Sequence, residues 1–146
     1  MNSYSETSPL KDLYNLEPNI LLYTDEFVDV TPSYFNIKKM FYPLQKVVSI
    51  PMNDILSIKL ITMGNYSGKG TFMGFCLKMY YFHLDRKRPL KEKAMIIHYK
   101  GNPIRIGITP NNIDKCYNIL TALTKSNNNN KGNEIREMNI IKEKTE

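Results

Sequence analysis

Residues 103–124 read PIRIGITPNNIDKCYNILTALT, and within this stretch a strand pattern changes directly into a helical pattern. In the first part isoleucines alternate with other residues, which predicts a strand whose two faces differ. The expected inward residues are Ile104, Ile106 and Ile108, and the expected outward residues are Arg105 and Gly107. This strand is the last one of the predicted sheet structure. It is predicted to form a hairpin with a strand from Lys93 to Tyr99 through the turn Gly101-Asn102.

A helix is predicted immediately after this strand. Thr109 is an acceptable N-cap, and Pro110 occupies the first helical position, where its missing N–H is harmless. Apolar side chains then recur at helical spacing and form one stripe, made of Ile113, Cys116, Tyr117, Leu120 and Leu123. The stripe predicts a helix from Pro110 to about Thr124 that packs on the sheet.

Upstream of residue 103, short runs of β-branched and aromatic residues alternate with turn signals. The longest predicted strand covers Thr71 to Leu84 and is apolar on both faces. Such a strand is usually covered on both sides or curls across a barrel, and Gly74 would allow the bend. The expected fold is mainly β with one helix, a roll or barrel of about seven antiparallel strands capped by the C-terminal α-helix.

Composition divides the chain into three segments. Residues 1–18 are polar without periodicity and are predicted to be a flexible acidic arm, whereas residues 19–125 form the predicted domain. Residues 126–146 begin with an asparagine-rich stretch, and the composition of this polar tail favours disorder over a short helix. We therefore expect one domain between two flexible ends.

Positive charge is concentrated in the middle of the chain. The 146 residues carry 20 Lys and Arg against 14 Asp and Glu, a formal net charge of +6. The net charge is −5 in residues 1–30, +10 in residues 31–108 and +1 in residues 109–146. A basic sheet surface favours an anionic partner, and the alternative is a solvated surface that only maintains solubility.

The sequence shows no signal for export or for a membrane span. Residues 1–6 contain neither a basic nor an apolar signal region, and no apolar run approaches the roughly 18 residues that a span needs. Two cysteines cannot make a disulfide framework. We therefore expect a cytoplasmic protein, with peripheral association at a membrane as an extension of that prediction.

Three stretches are familiar when they are taken together. They are IPMNDILSI at residues 50–58, YFHLDRKR at residues 81–88 followed by AMII at residues 94–97, and Ile108-Thr109-Pro110 with the helix that follows. In this order they resemble the pleckstrin-homology-like superfold, in particular its bacterial-type members. The stretches correspond there to a strand start, a charged hairpin and the start of the capping helix. The resemblance covers roughly residues 20–124.

The resemblance implies a binding and assembly scaffold without enzymatic activity. Pleckstrin-homology domains bind phosphoinositide headgroups through a basic first hairpin, and some bacterial-type members form rings. Here the turns at Asp25-Glu26 and Thr31–Ser33 contain no Lys or Arg, and the helix has no Trp. Both differences argue against specific inositol-phosphate binding, and a fold alone does not determine a function.

The first candidate site is a predicted hairpin with lysines on both legs and apolar residues at its tip. The lysines are Lys38, Lys39 and Lys46, and the tip residues are Phe41 and Tyr42. Such a tip can enter a membrane interface while the lysines contact anionic headgroups. The alternative is a strand with a proline kink, whose apolar residues belong to the core.

The second candidate site is a basic turn. Its cations are Arg86, Lys87, Arg88, Lys91 and Lys93. A short basic hairpin can hold a phosphate, and an arginine can do so with two parallel hydrogen bonds. The alternative is a solvated turn. Membrane binding is favoured if both candidate sites lie at the same end of the barrel, which the sequence does not decide.

Signals for catalysis, metal binding and nucleotide binding are weak. The glycine loop Gly64–Gly70 lacks the Walker A ending and precedes a strand instead of a helix. His83 and His98 lie on predicted strands, and Cys76 and Cys116 are expected to be buried structural residues. Metal-ligand spacings are absent from the sequence. We therefore expect no catalytic residue, no metal site and no cofactor.

The expected function is that of a non-enzymatic binding or adaptor module whose basic face meets an anionic partner. An acidic lipid headgroup is the first partner expected, and an acidic protein surface is the second. The alternative function is a homo-oligomeric or protein–protein assembly scaffold. Nucleic-acid binding is a further and less favoured alternative, because the aromatic residues lie where the strands need a core.

Overall fold

The computed structural model describes residues 17–40 and 47–144. In this part of the chain nine strands precede one long helix. Their bounds are β1 Tyr23–Thr24, β2 Val28–Val30, β3 Tyr34–Ile37, β4 Val48–Pro51, β5 Ile55–Thr62, β6 Gly74–Phe75, β7 Tyr81–Phe82, β8 Lys93–Tyr99, β9 Ile106–Ile108 and α1 Ile113–Lys144. The prediction of a mainly β chain with a C-terminal helix is confirmed.

The strands form two sheets. The first is an antiparallel meander in the order β1-β2-β3-β4, and the second has the order β5-β8-β9-β7-β6. β9 lies between β7 and β8, which run in opposite directions, so it pairs antiparallel with β8 and parallel with β7. The prediction that every strand is antiparallel is therefore wrong. Over the described ranges the two sheets remain separate and do not close into a barrel.

The main core joins side chains of both sheets and of α1. Its fully buried members include Phe35 of β3, Ile97 of β8 and Ile108 of β9. From α1, Leu120 and Cys116 are fully buried in the same cluster. The predicted helical stripe is thus confirmed, and it packs on the sheets as expected because the removal of its apolar surface from water stabilises the fold.

The helix α1 begins later than predicted and is longer. Its N-cap is Asn112, whose Oδ1 accepts the N–H of Lys115 at 3.2 Å. Thr109, the predicted cap, is buried, and its hydroxyl donates to the carboxylate of Asp85 at 2.6 Å instead. At the other end the helix continues through the asparagine-rich stretch to Lys144. Intrinsic propensity, which disfavours Asn in helices, is only a weak predictor of the end of a helix.

The prediction of a single strand from Thr71 to Leu84 is wrong. This segment contains the two short strands of a hairpin, β6 and β7, whose tip is closed by a hydrogen bond from the N–H of Cys76 to the oxygen of Tyr80 at 3.1 Å. Gly74 and Met79 have positive φ angles of 91° and 65° on the two sides of the tip. The apolar residues of this segment therefore divide between core and surface.

The predicted hairpin between the last two strands is confirmed, but its second strand is shorter than expected. β8 has the predicted bounds and pairs with β9 in antiparallel register. β9 begins only at Ile106, and Ile104, which was expected to face the core, is 40% exposed. The backbone N–H of Ile104 donates to the side chain of Asn102 at 2.9 Å, so the turn extends into the predicted strand.

Candidate functional site

The two basic segments meet at one groove. Lys39 follows β3 of the first sheet, whereas Arg86 and Lys87 follow β7 of the second. The backbone joins them, because the N–H of Leu84 donates to the carbonyl oxygen of Lys39 at 3.0 Å. We call the space between them the basic groove; its volume is about 340 Å³, and it is lined by Glu26, Phe27, Lys39, Leu84, Asp85, Arg86 and Lys87.

Lys38 and Lys39 are adjacent in the chain but have different environments. The ammonium of Lys38 donates to the carbonyl oxygen of Asp25 at 2.8 Å and lies 2.9 Å from the carboxylate of Asp29. Lys39 has a positive φ of 59°, and its ammonium lies 3.6 Å from the carboxylate of Glu26 at the groove. Lys38 therefore stabilises the first sheet, and Lys39 contributes to the basic groove.

Arg86 and Lys87 are exposed at the mouth of the groove, but the next residue is not. Arg88 is 0% exposed, and its guanidinium donates to the carbonyl oxygens of Thr71 and His83. Burial lowers the pKa of Arg88 to about 10, so the side chain remains charged at neutral pH. Arg88 was predicted to contact the anion, but it lies inside the fold and does not line the groove.

Lys91 also makes its contacts inside the protein. Its ammonium donates to the carboxylate of Asp85 at 2.7 Å and to the carbonyl oxygen of Thr109 at 2.7 Å. Burial by itself raises the pKa of Asp85, but the hydrogen bonds from Lys91 and from the Thr109 hydroxyl outweigh it, so the pKa lies below its usual value. The carboxylate in the floor of the groove is thus ionised and already paired.

The other predicted site residues lie away from the groove or outside the described residues. The ammonium of Lys93 is 3.4 Å from the carboxylate of Asp114 on α1, at the boundary between sheet and helix. Lys46 and the tip residues Phe41 and Tyr42 lie outside the described residues. The hypothesis that this tip enters a membrane therefore stays a prediction.

A buried histidine lies beneath the groove. The Nε2 atom of His83 accepts the N–H of Thr109 at 3.0 Å, and its Nδ1 lies 3.1 Å from the carbonyl oxygen of Leu84, so Nδ1 carries the proton. Burial, together with the positive charge of Arg88, lowers the pKa of His83 to about 3. The imidazole is neutral at physiological pH, and both of its nitrogens are occupied within the protein.

Other groups with potential for catalysis or metal binding are buried or dispersed. Burial raises the pKa of the Cys116 thiol to about 12, and Cys76 is also buried. Within residues 17–40 and 47–144, His, Cys, Asp and Glu side chains form no group of three that could hold a metal ion. The same part of the chain contains no helix with the length and apolarity needed to cross a bilayer.

The basic groove keeps an excess of positive charge after its internal pairs are counted. Asp85 is paired inside the fold, and Glu26 faces Lys39. Among the ion pairs of the described residues, none involves the side chain of Arg86 or Lys87. Two cations at the mouth are therefore available to an anion from solvent, with Lys39 beside them.

Four residues of the groove, Glu26, Phe27, Leu84 and Asp85, were not among the predicted site residues. Leu84 and Asp85 adjoin the predicted basic turn, whereas Glu26 and Phe27 immediately precede β2, and the antiparallel register of β2 with β3 sets Val28 opposite Ile37. This register brings the turn before β2 next to Lys39, which follows β3. The two short strand patterns in the sequence could have indicated this neighbour, because a tight antiparallel pair places the start of one strand beside the end of the next.

Comparison with known proteins does not extend the resemblance. No protein-family model, no curated protein and no solved structure matches the chain. We therefore infer its function from the residues of the groove and their arrangement.

Proposed function

We propose that this chain is a non-enzymatic binding module, of the pleckstrin-homology-like type that its sequence resembles, and that it holds a phosphate-bearing anion in the basic groove. The ligand is the headgroup of an acidic membrane lipid. The observation that carries the proposal is the convergence of Lys39 with Arg86 and Lys87 at one groove. Lys39 follows a strand of the first sheet, and Arg86 and Lys87 follow a strand of the second, so one ligand in the groove can contact residues from both parts of the fold.

The side chains of the groove suit a phosphate group. An arginine guanidinium presents paired N–H donors that match two phosphate oxygens, and a lysine ammonium adds a compact positive charge. The exposed carboxylate of Glu26 lies 3.6 Å from the Lys39 ammonium and offsets part of its attraction, so Arg86 and Lys87 are expected to be the stronger contacts of the ligand. Each basic residue near an acidic bilayer contributes about 1 kcal/mol to binding.

The character of the lining supports binding in preference to catalysis. Lysine, arginine, carboxylate and apolar side chains surround the groove. The nearby imidazole of His83 is fully buried, and its Nε2 already accepts the N–H of Thr109, so it is not positioned to take a proton from a ligand at the mouth. Electrostatic attraction is the interaction that this arrangement provides.

Vesicle flotation tests the proposal. The wild-type chain is expected to float with vesicles of phosphatidylcholine and phosphatidylserine and not with phosphatidylcholine alone. The combined substitutions Lys39→Gln, Arg86→Gln and Lys87→Gln should weaken binding by about a hundredfold, since they remove roughly 3 kcal/mol of attraction. In a second arm, inorganic phosphate is added to the flotation experiment as a competitor. If it does not displace the chain from the vesicles, the anion bound in the groove is supplied by the lipid surface.

A matched control separates the groove from net charge. Lys59, Lys100 and Lys115 are exposed at other places, and their substitution by Gln removes three positive charges, so both triple variants have a formal net charge of +3 instead of +6. The control variant should keep most of the binding. Equal binding by the two triple variants, or equal flotation with and without phosphatidylserine, would contradict the proposal.

A second candidate function is assembly with another chain, and an edge strand favours it. In the described part of the chain, β5 is the end strand of its sheet and pairs only with β8. Leu56 on this strand is 60% exposed. An open edge can accept a strand from another copy. Gel filtration with light scattering at several protein concentrations tests this candidate, and a strict monomer would count against it.

A further inference from the structure

An exposed apolar surface lies beside the basic groove. Its exposed side chains are Phe72, Phe75, Leu77 and Met79, which belong to the β6–β7 hairpin and the residues just before it; we call them the apolar hairpin. Leu77 at the tip is 75% exposed, while its neighbour Cys76 is buried. The N–H of Met79 donates to the oxygen of Cys76 at 2.9 Å, so backbone hydrogen bonds order the tip of this hairpin.

The apolar hairpin is continuous with the basic groove. A neighbouring groove of about 820 Å³ is lined by Phe72 and Phe75 together with Leu84 and Arg86. Leu84 and Arg86 also line the basic groove. An object that contacts the cations at the groove mouth therefore lies next to the exposed aromatic rings.

Cations also flank the other side of the apolar hairpin. Lys78 and Arg105 line a third groove, of about 590 Å³, together with Phe75 and Met79. Residues 55–84 contain three lysines and no Asp or Glu. An apolar surface that is bounded by cations and lacks carboxylates of its own complements an acidic bilayer, where phosphates meet cations and acyl chains accept apolar side chains.

We propose that Phe72, Leu77 and Met79 enter the interface of an acidic lipid bilayer, while Lys78 and Arg86 beside them contact lipid phosphates. This inference rests on the proposed function and names the part of the molecule that reaches beyond the headgroups. Apolar insertion and electrostatic attraction together give an affinity that neither provides alone. A lipid interface accepts exposed apolar side chains flanked by cations without a surface of matching shape, whereas a protein partner needs a complementary one.

Leu77→Trp tests insertion directly, because the chain contains no tryptophan and the variant carries a single indole reporter. With vesicles of phosphatidylcholine and phosphatidylserine, its emission should shift to shorter wavelength and be quenched by brominated acyl chains. Leu56→Trp is the matched control, since Leu56 is also exposed but lines a groove between β5 and α1. The control should remain unquenched.

The outcomes distinguish this inference from the proposed function. Vesicle binding with quenching of the Leu77→Trp protein, and not of the Leu56→Trp protein, supports insertion of the apolar hairpin. Vesicle binding without quenching at Leu77, or with equal quenching of both proteins, overturns the inference and leaves headgroup binding in place. Absence of vesicle binding overturns both proposals.

A second measurement does not depend on tryptophan. The combined substitutions Leu77→Ser and Met79→Ser change exposed side chains only, so circular dichroism should be unchanged. Binding to the acidic vesicles should fall by at least about tenfold, because the substitutions remove apolar surface that the bilayer would otherwise bury. Leu56→Ser should bind like the wild type. Equal binding by the wild type and the double variant overturns the inference.

Discussion

The guanidinium of Arg88 lies over the ring of Phe82, 4.6 Å from its centre, in the interior beneath the basic groove. The short 3₁₀ helix Arg88–Leu90 turns the side chain inward from a run of three cations. Hydrogen bonds to backbone carbonyls and the face of an aromatic ring let a charged group remain buried. Arg88 therefore connects the segment after β7 to the core.

Arg88→Met should lower the free energy of unfolding by about 3 kcal/mol, because the carbonyl oxygens of Thr71 and His83 lose their donor inside the protein. Urea unfolding followed by circular dichroism measures the change. Arg86→Met is the control, since Arg86 is exposed and the effect should stay within about 0.5 kcal/mol. Similar values for both variants would refute the internal role of Arg88.

His83 makes stability depend on pH. Its pKa in the folded chain is about 3, against 6.5 for an ordinary histidine, so between these values the unfolded chain binds more protons. Stability is therefore fully present above about pH 6.5 and falls as the pH drops towards 3, by up to about 1.4 kcal/mol per pH unit. Asp85, whose pKa is lowered, adds a further loss below its usual pKa of 3.8.

Urea unfolding at a series of pH values between 7 and 4 measures the slope that belongs to His83. His83→Gln removes the titrating group and leaves Arg88, Asp85 and Lys91, the charged groups that act on it, in place. The variant is expected to be less stable overall but to have a flatter pH dependence over this range. An unchanged slope in the variant would rule out His83 as its source.

At the scale of the element, β9 depends on a glycine. Gly107 lies between Ile96 of β8 and Phe82 of β7, and a Cβ at this position would overlap the Phe82 ring. Gly107→Ala should therefore lower the free energy of unfolding by about 2 kcal/mol through overpacking. Gly64→Ala is the control, because its Cβ would meet only Ser67 Oγ, at 3.6 Å. Urea unfolding distinguishes them, and equal stability of the two variants would contradict this account.

At the scale of the whole molecule, the basic groove lies where the two sheets meet. Lys39 follows a strand of the first sheet and Arg86 a strand of the second, and the hydrogen bond from Leu84 to Lys39 joins them. The net charge of +6 is consequently less informative than its distribution. Lys91 and Lys38 are engaged within the fold, whereas the cations at the groove mouth are available to a ligand.

The sequence predicted several elements correctly and failed where one pattern fits two environments. The bounds of β8 followed from a continuous aliphatic run, and the buried face of α1 followed from the regular spacing of apolar residues. The segment from Thr71 to Leu84 was predicted as one strand because Phe82, which is buried, and Leu77, which is exposed, are equally apolar. Hydrophobic pattern alone cannot distinguish a core residue from an exposed one on a hairpin tip.

Local spacing was sufficient for the mainly β class, the last hairpin and the buried stripe of α1, because each depends on contacts that repeat along one element. Packing decided which of the cations near the groove reach solvent: Lys39 does, whereas Arg88 is buried. Pairing of β2 with β3 and the course of the chain after β7 decided that the two basic segments share a groove. Contacts between segments distant in sequence depend on the whole packed core, so no short pattern specifies them.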